Sequence, residues 1–171
     1  DKGAEVHGGR AGGYGVNIYS RPGFGDGNYE LNNSGWIDSL SDNAIRVSTD
    51  ANSLLTINNT GTIDGYVTMG SEDSIFNNLS SNSWNIRNYT DSGSGYRDTK
   101  GVAVSNFGGG YDVFKNEASG TVRLATVSAD ALTPTSASYI PAGALDITNA
   151  GIVHGHLLNL DRFENRGVID L

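Results

Sequence analysis

Apolar and polar residues along this chain recur in one short pattern: an apolar position, a polar one, Asn, any residue, Gly, any residue, an apolar position and a polar one. It reads Leu31-Asn32-Asn33-Ser34-Gly35-Trp36-Ile37-Asp38, then Ile57-Asn58-Asn59-Thr60-Gly61-Thr62-Ile63-Asp64. It returns as Ile147-Thr148-Asn149-Ala150-Gly151-Ile152-Val153-His154 and as Phe163-Glu164-Asn165-Arg166-Gly167-Val168-Ile169-Asp170. A fifth copy, Phe114-Lys115-Asn116 followed by Gly120-Thr121-Val122-Arg123, carries Glu117 and Ala118 as an insertion between Asn and Gly. On both arms of the unit apolar and polar residues alternate, the period of a strand with one face in a core and the other in water. The predicted core is therefore Leu31, Ile37, Ile57, Ile63, Phe114, Val122, Ile147, Val153, Phe163 and Ile169. The outward columns are Asn32, Asn58, Lys115, Thr148 and Glu164 on one arm, and Asp38, Asp64, Arg123, His154 and Asp170 on the other. No stretch carries a helical stripe.

Between the arms, Asn-x-Gly is corner chemistry. Asn bonds its own neighbouring backbone and tolerates left-handed dihedrals, and Gly takes positive φ without a steric cost. The predicted corners are Asn33 with Gly35, Asn59 with Gly61, Asn116 with Gly120, Asn149 with Gly151, and Asn165 with Gly167. In a stack of coils these asparagines can form a ladder, each amide bonding the next. The spacing from Asn33 to Asn59, from Asn59 to Asn78 and from Asn149 to Asn165 is 26, 19 and 16 residues. Periods near 20 residues with strand chemistry point to a solenoid. The competing reading, Asn-x-Gly as the turn of a hairpin in a sandwich, has no reason to repeat one corner at irregular intervals. The expected architecture is all-β: a right-handed parallel β-helix (β-solenoid) with protruding loops, about seven coils at about 4.8 Å forming a rod about 35 Å long.

Along the chain, residues 1–14 read as a glycine-rich N-terminal edge and 15–171 as coils. Gly15 to Tyr19 is the first expected strand, and Ala44 to Ser48 a short separate one. Phe76-Asn77-Asn78, Ile86-Arg87-Asn88 and Val104-Ser105-Asn106 read as degenerate copies that have lost their second half. Segments 19–30, 89–100 and 126–143 read as loops. The chain stops inside a repeat copy, which predicts a fragment of something longer.

Composition agrees with this picture. Glycine numbers 24, proline three and methionine one, a turn-forming balance. The 171 residues suffice for one core without staples, and there is no cysteine. A net charge of −8, with only 11 Lys and Arg scattered along the chain, argues against nucleic acid and against an anionic membrane surface. No run is long and apolar enough for a membrane span.

The copies at Leu31–Asp38, Ile57–Asp64 and Phe163–Asp170 resemble the β-helical passenger domains of Gram-negative autotransporters, the type V secreted adhesins and virulence factors; filamentous-haemagglutinin-like exoproteins use similar coils. The resemblance implies export in an unfolded state through the outer membrane, usually with a C-terminal translocating β-barrel. It also implies residence at the bacterial cell surface or in the extracellular medium. The implied role is structural and adhesive: a stalk presenting loops to a host-cell surface, to an extracellular-matrix protein, or to itself between cells. Phe24, Tyr29, Tyr96 and Tyr139 are the aromatic residues of the expected contact loops.

Catalytic and metal chemistry is sparse. Thr90-Asp91-Ser92-Gly93-Ser94-Gly95 resembles a serine-protease nucleophile motif, but its flanking Gly and Pro are replaced, and a triad needs a His and an Asp besides. His154 and His156 face the same way on a strand without an evident third ligand. Gly108-Gly109-Gly110-Tyr111-Asp112 is similar to a calcium β-roll nonapeptide, without its fourth-position Gly or tandem copies. The expectation is no enzyme and no cofactor, with calcium the only ion the sequence suggests. The alternative is a carbohydrate-active β-helix, a polysaccharide lyase or hydrolase, working with Asp38, Asp64 and Asp170 on the exposed face.

Overall fold

In the computed structural model, residues 3–9, 13–20, 26–79, 83–86, 105–128, 143–158 and 160–170 are described, those at 40–42, 83 and 124–128 by their backbone only. The elements are all strands: β1 (Glu5–Gly8), β2 (Val16–Tyr19), β3 (Asn28–Asn33), β4 (Trp36–Ser48), β5 (Leu54–Asn59), β6 (Thr62–Thr68), β7 (Asp73–Asn78) and β8 (Ser83–Asn85) in the first half. The second half holds β9 (Ser105–Asn106), β10 (Tyr111–Asn116), β11 (Thr121–Ser128), β12 (Ala144–Asn149), β13 (Ile152–Leu158), β14 (Arg162–Asn165) and β15 (Val168–Asp170). They form two sheets in which the described pairings are parallel.

The nine-stranded sheet runs β1-β4-β6-β8-β11-β13-β15, with β2 also on β4, and β9 on β6 and β11. The six-stranded sheet runs β14-β12-β10-β7-β5-β3. From β3 onward the chain alternates between the sheets, except that β8 and β9 follow one another in the nine-stranded sheet, and strands stack on those of neighbouring passages. Asn-x-Gly does not make hairpins: β3 and β4, which flank Asn33-Ser34-Gly35, lie in different sheets.

Inside, the alternation builds columns. Leu31, Ile57, Phe76, Phe114, Ile147 and Phe163 are successive register partners in the six-stranded sheet. Opposite them, Ile37 pairs with Ile63, Ile63 with Trp84, Trp84 with Val122, Val122 with Val153 and Val153 with Ile169. Ile37, Ile57, Ile63, Phe114, Val122, Ile147 and Val153 are buried as expected, and Leu31 and Ile169 pack against the core from its ends. Phe163 is not a core residue: it is 42% exposed. Its strand β14 ends the six-stranded sheet, so only the Ile147 side of the column covers it. Each fully buried aliphatic or aromatic side chain contributes about 1.5–3 kcal/mol.

At mid-stack the core turns aromatic. Phe76 lies 4.7 Å from Trp84 and 5.4 Å from Phe114 between ring centroids, and Phe107 lies 6.0 Å from Phe114. The Trp84 indole N–H donates to the Gly65 carbonyl at 3.1 Å, which satisfies its one polar atom.

Several elements differ from the sequence reading. The glycine-rich edge contains β1, whose Val6 and His7 pair with Ile37 and Asp38. Ala44–Ser48 is the end of the 13-residue β4, which bends through register shifts around Asn43, as bulged strands do. Phe76-Asn77-Asn78 is a complete arm in register with its neighbours. Ile86 is buried, but it follows β8 and the inward strand residue is Trp84. Asn106 belongs to the nine-stranded sheet and makes a different corner, accepting from the Gly108 N–H at 2.8 Å.

Candidate functional site

The corner where the two sheets meet carries one continuous asparagine ladder. Asn33 Nδ2 donates to Asn59 Oδ1 at 2.8 Å, Asn59 to Asn78 at 2.9 Å, Asn78 to Asn116 at 2.8 Å, Asn116 to Asn149 at 2.8 Å, and Asn149 to Asn165 at 2.8 Å. Sequence separations of 26, 19, 38, 33 and 16 residues become one uniform spacing. Register explains why: each asparagine is the last residue of its arm and pairs with the next asparagine across the sheet. Asn78 is a full member that Asn-x-Gly scanning misses, since Gly is absent after it. The signal for it is Phe76 two residues earlier.

The ladder asparagines also bond their own turn, Asn33 Oδ1 accepting from Gly35 N at 3.1 Å and Asn165 Oδ1 from Gly167 N at 3.2 Å. The glycines have a different role from the one expected. Positive φ occurs at Gly3, Gly65, Gly108, Gly110 and Gly155, and at none of the five corner glycines. What excludes a side chain at the corner is stacking: a Cβ on Gly61 would collide with the Gly35 carbonyl, one on Gly151 with that of Gly120, and one on Gly167 with that of Gly151. A second, outward ladder runs beside the first, from Asn77 to Asn58 at 2.8 Å and from Asn58 to Asn32 at 2.9 Å.

The outer face of the nine-stranded sheet gathers the titratable groups. His7 pairs with Asp38 and Asp38 with Asp64, then Asp64 with Asn85 and Asn85 with Arg123. His7 Nδ1 lies 2.8 Å from Asp38 Oδ1, and its Nε2 lies 3.2 Å from Glu5. The bond to Asp38, reinforced by Glu5, holds the imidazole pKa above its ordinary value. The His7 ring stands edge-on to Trp36 at 5.6 Å. Burial pushes the Asp64 carboxyl up, partly offset by hydrogen bonds with Trp36 and Asn85, and the Asp38 charge adds to the rise. Two adjacent carboxylates and an imidazole, groups able to accept or donate protons, thus stand beside an indole.

Asp170 does not join that group. It pairs with His154 near the other end of the sheet, Nδ1 to carboxylate 3.4 Å, four rungs from Asp64 and therefore about 19 Å away. His156 is exposed on the same strand as His154, and among the described residues no three His, Cys, Asp or Glu side chains gather as a metal site.

A third constellation lies inside the six-stranded sheet, where a second inner column passes through Tyr29, Leu55, Ser74, Asp112 and Leu145. Glu72, Ser74 and Asp112 are fully buried. Burial pushes the Asp112 carboxyl up to about 8; the adjoining Ser74 hydroxyl and backbone temper the rise, and Glu72 and Asp73 add to it. Neither Ser74 group closes a well-formed hydrogen bond with Asp112, whose two oxygens are unpartnered. Asp112 was legible as inward, because it lies two residues before Phe114 on the same face.

Of the expected contact aromatics, Tyr29 lies in β3 and packs against the core, two residues before Leu31 on the inner face. Phe24, Tyr96 and Tyr139 lie outside the described residues, as does Ser92. Of segment 126–143, residues 126–128 belong to β11, Gly143 precedes β12, and 129–142 lie outside the described residues, as does segment 89–100. No family model, curated protein or solved structure matches the chain.

Proposed function

We propose that the chain is a segment of a right-handed parallel β-helix at a bacterial cell surface or in the extracellular medium, an autotransporter-passenger-like rod with a structural and adhesive role. The observation that carries this reading is the ladder. Separations from 16 to 38 residues between successive rungs leave donor–acceptor distances of 2.8–2.9 Å, so the scaffold keeps its stack across connections of very different length. A rod with that property is suited to presenting variable segments to a host-cell surface, a matrix protein or another copy of itself. The expected contact elements are segments 19–30, 89–100 and 126–143, the last two inserted between Asn78 and Asn116 and between Asn116 and Asn149.

Deleting residues 89–100, 130–142, or both tests the reading. The expected result is unchanged β-sheet circular dichroism and thermal unfolding, with loss of adhesion to host cells, immobilised matrix proteins or cells displaying the same chain. Full adhesion after both deletions would refute it.

The alternative, a carbohydrate-active enzyme, draws on the adjacent Asp38 and Asp64 with His7 and Trp36 on one open face. It predicts turnover of an acidic polysaccharide that Asp38→Asn and Asp64→Asn abolish. A reducing-end and unsaturated-product assay without turnover eliminates it.

A further inference from the structure

We propose that Glu72, Ser74 and Asp112 form an interior site for one calcium-sized divalent cation, held between neighbouring rungs of the six-stranded sheet. Four oxygen atoms there close no well-formed hydrogen bond: both carboxylate oxygens of Asp112, which the Ser74 hydroxyl and backbone N–H only approach, Glu72 Oε2 and Ser74 Oγ. All three residues are 0% exposed. Buried polar atoms in folded proteins are nearly always satisfied, and an unpaired interior carboxylate is strongly disfavoured. Here two carboxylates lie in the same dry region, and the charges acting on Asp112 are those of Glu72 and Asp73, both acidic. The flanking register partners along the column are apolar, Leu55 on one side of Ser74 and Leu145 on the other side of Asp112. With both carboxylates ionised the orphan atoms are acceptors, apart from the one hydroxyl proton of Ser74, so a cation is the group that would satisfy them and hold Asp112 in its charged form.

Placement supports the assignment. Ser74 and Asp112 are register partners on β7 and β10, and Glu72 reaches inward one residue before β7, its Oε1 already accepting from Gly70 N at 3.0 Å. Glycines line this corner: a Cβ at Gly70 would lie 2.7 Å from Glu72 Oε2, and one at Gly110 would collide with the Glu72 carbonyl. A side chain at Gly70 would crowd the carboxylate, and one at Gly110 would crowd the main chain that carries it. The donor chemistry selects the ion. Two carboxylates and a hydroxyl are hard oxygen ligands, and their two negative charges balance a divalent cation. Magnesium keeps most of its waters and demands an octahedron, whereas calcium accepts irregular carboxylate, hydroxyl and main-chain oxygens. The site does not depend on the adhesive reading.

The experiment is metal analysis and unfolding of the 171-residue chain. Calcium per chain is measured by mass spectrometry on protein purified without chelator. Thermal unfolding is then followed after EDTA treatment, with calcium or magnesium added back to about 1 mM. The expected result is about one calcium per chain, or a rise in Tm on calcium addition larger than that with magnesium. Asp112→Asn and Glu72→Gln should each weaken calcium binding at least about tenfold, while the exposed Asp170→Asn leaves it unchanged. Ser74→Ala, which removes one neutral donor, is the milder variant if Asp112→Asn does not fold, and should weaken binding a few-fold. The proposal is overturned if the wild-type chain neither carries calcium nor changes its Tm with it. It is equally overturned if Asp112→Asn and Ser74→Ala bind calcium as tightly as the wild type, since the ion would then sit elsewhere.

Discussion

Replacing Asn116 by alanine cuts the corner ladder at its middle. The Asn116 amide donates to Asn149 Oδ1 at 2.8 Å and to the Gly120 and Ile152 carbonyls at 3.1 and 3.2 Å, and its Oδ1 accepts from Asn78 at 2.8 Å. The residue is 1% exposed. Two ladder bonds at about 1 kcal/mol each are lost, and the Asn78 amide and Asn149 carbonyl group are left buried without a partner, at about 1–3 kcal/mol apiece. Some relaxation lowers that sum, so the expected loss is about 3–5 kcal/mol. In a chain of this length that lowers Tm by about 10 °C. Asn165→Ala is the internal control: it removes the terminal member of the ladder, an exposed residue, and should cost about 1 kcal/mol or less. Urea unfolding of both variants reads the difference as a shift in midpoint at constant slope. If Asn116→Ala and Asn165→Ala fall within about 1 kcal/mol of each other, the ladder is a consequence of stacking rather than a cause of stability.

Other consequences of the geometry can be measured in the same way. Gly151→Ala should destabilise by about 2–3 kcal/mol because its Cβ would strike the Gly120 and Glu117 carbonyls, whereas Gly9→Ala, with open space around it, should stay within about 0.5 kcal/mol; equal urea midpoints would contradict the stacking account of the corner glycines. Trp84→Ala should cost about 3–5 kcal/mol by opening the aromatic cluster, and a loss under about 1 kcal/mol would mean the cluster collapses freely. His7 should titrate above 6.5 by NMR, and Asp38→Asn should bring it down. Because the folded pKa is the higher one, the contribution of His7 to stability is full below 6.5 and disappears as pH rises through the folded value. A His7 titration unchanged in Asp38→Asn would rule out the 2.8 Å pair in solution.

Alternation alone assigned the inner and outer faces. Ile57 and Ile63 lie in the core, Asn58 and Asp64 outside it, and Asn59 at the corner, because a strand's side-chain period of two is a local property that each eight-residue copy states in full. Read two residues further back, the same rule places Tyr29, Ser74 and Asp112 inward. Which rung lies on which was beyond it. The Asn78 and Asn116 rungs touch across 38 residues, and no local pattern encodes a partner at that distance. The corner glycines belong to this second kind of fact: their necessity lies in the approach of a neighbouring rung's carbonyl, not in their own dihedrals. So does the interior group of Glu72, Ser74 and Asp112: alternation turns Ser74 and Asp112 inward, and only stacking sets one beside the other. Local alternation determined the faces of the repeat copies, though not of Ser105–Asn106, where Ser105 is the buried residue; the stacking of distant rungs decided what each inward residue meets.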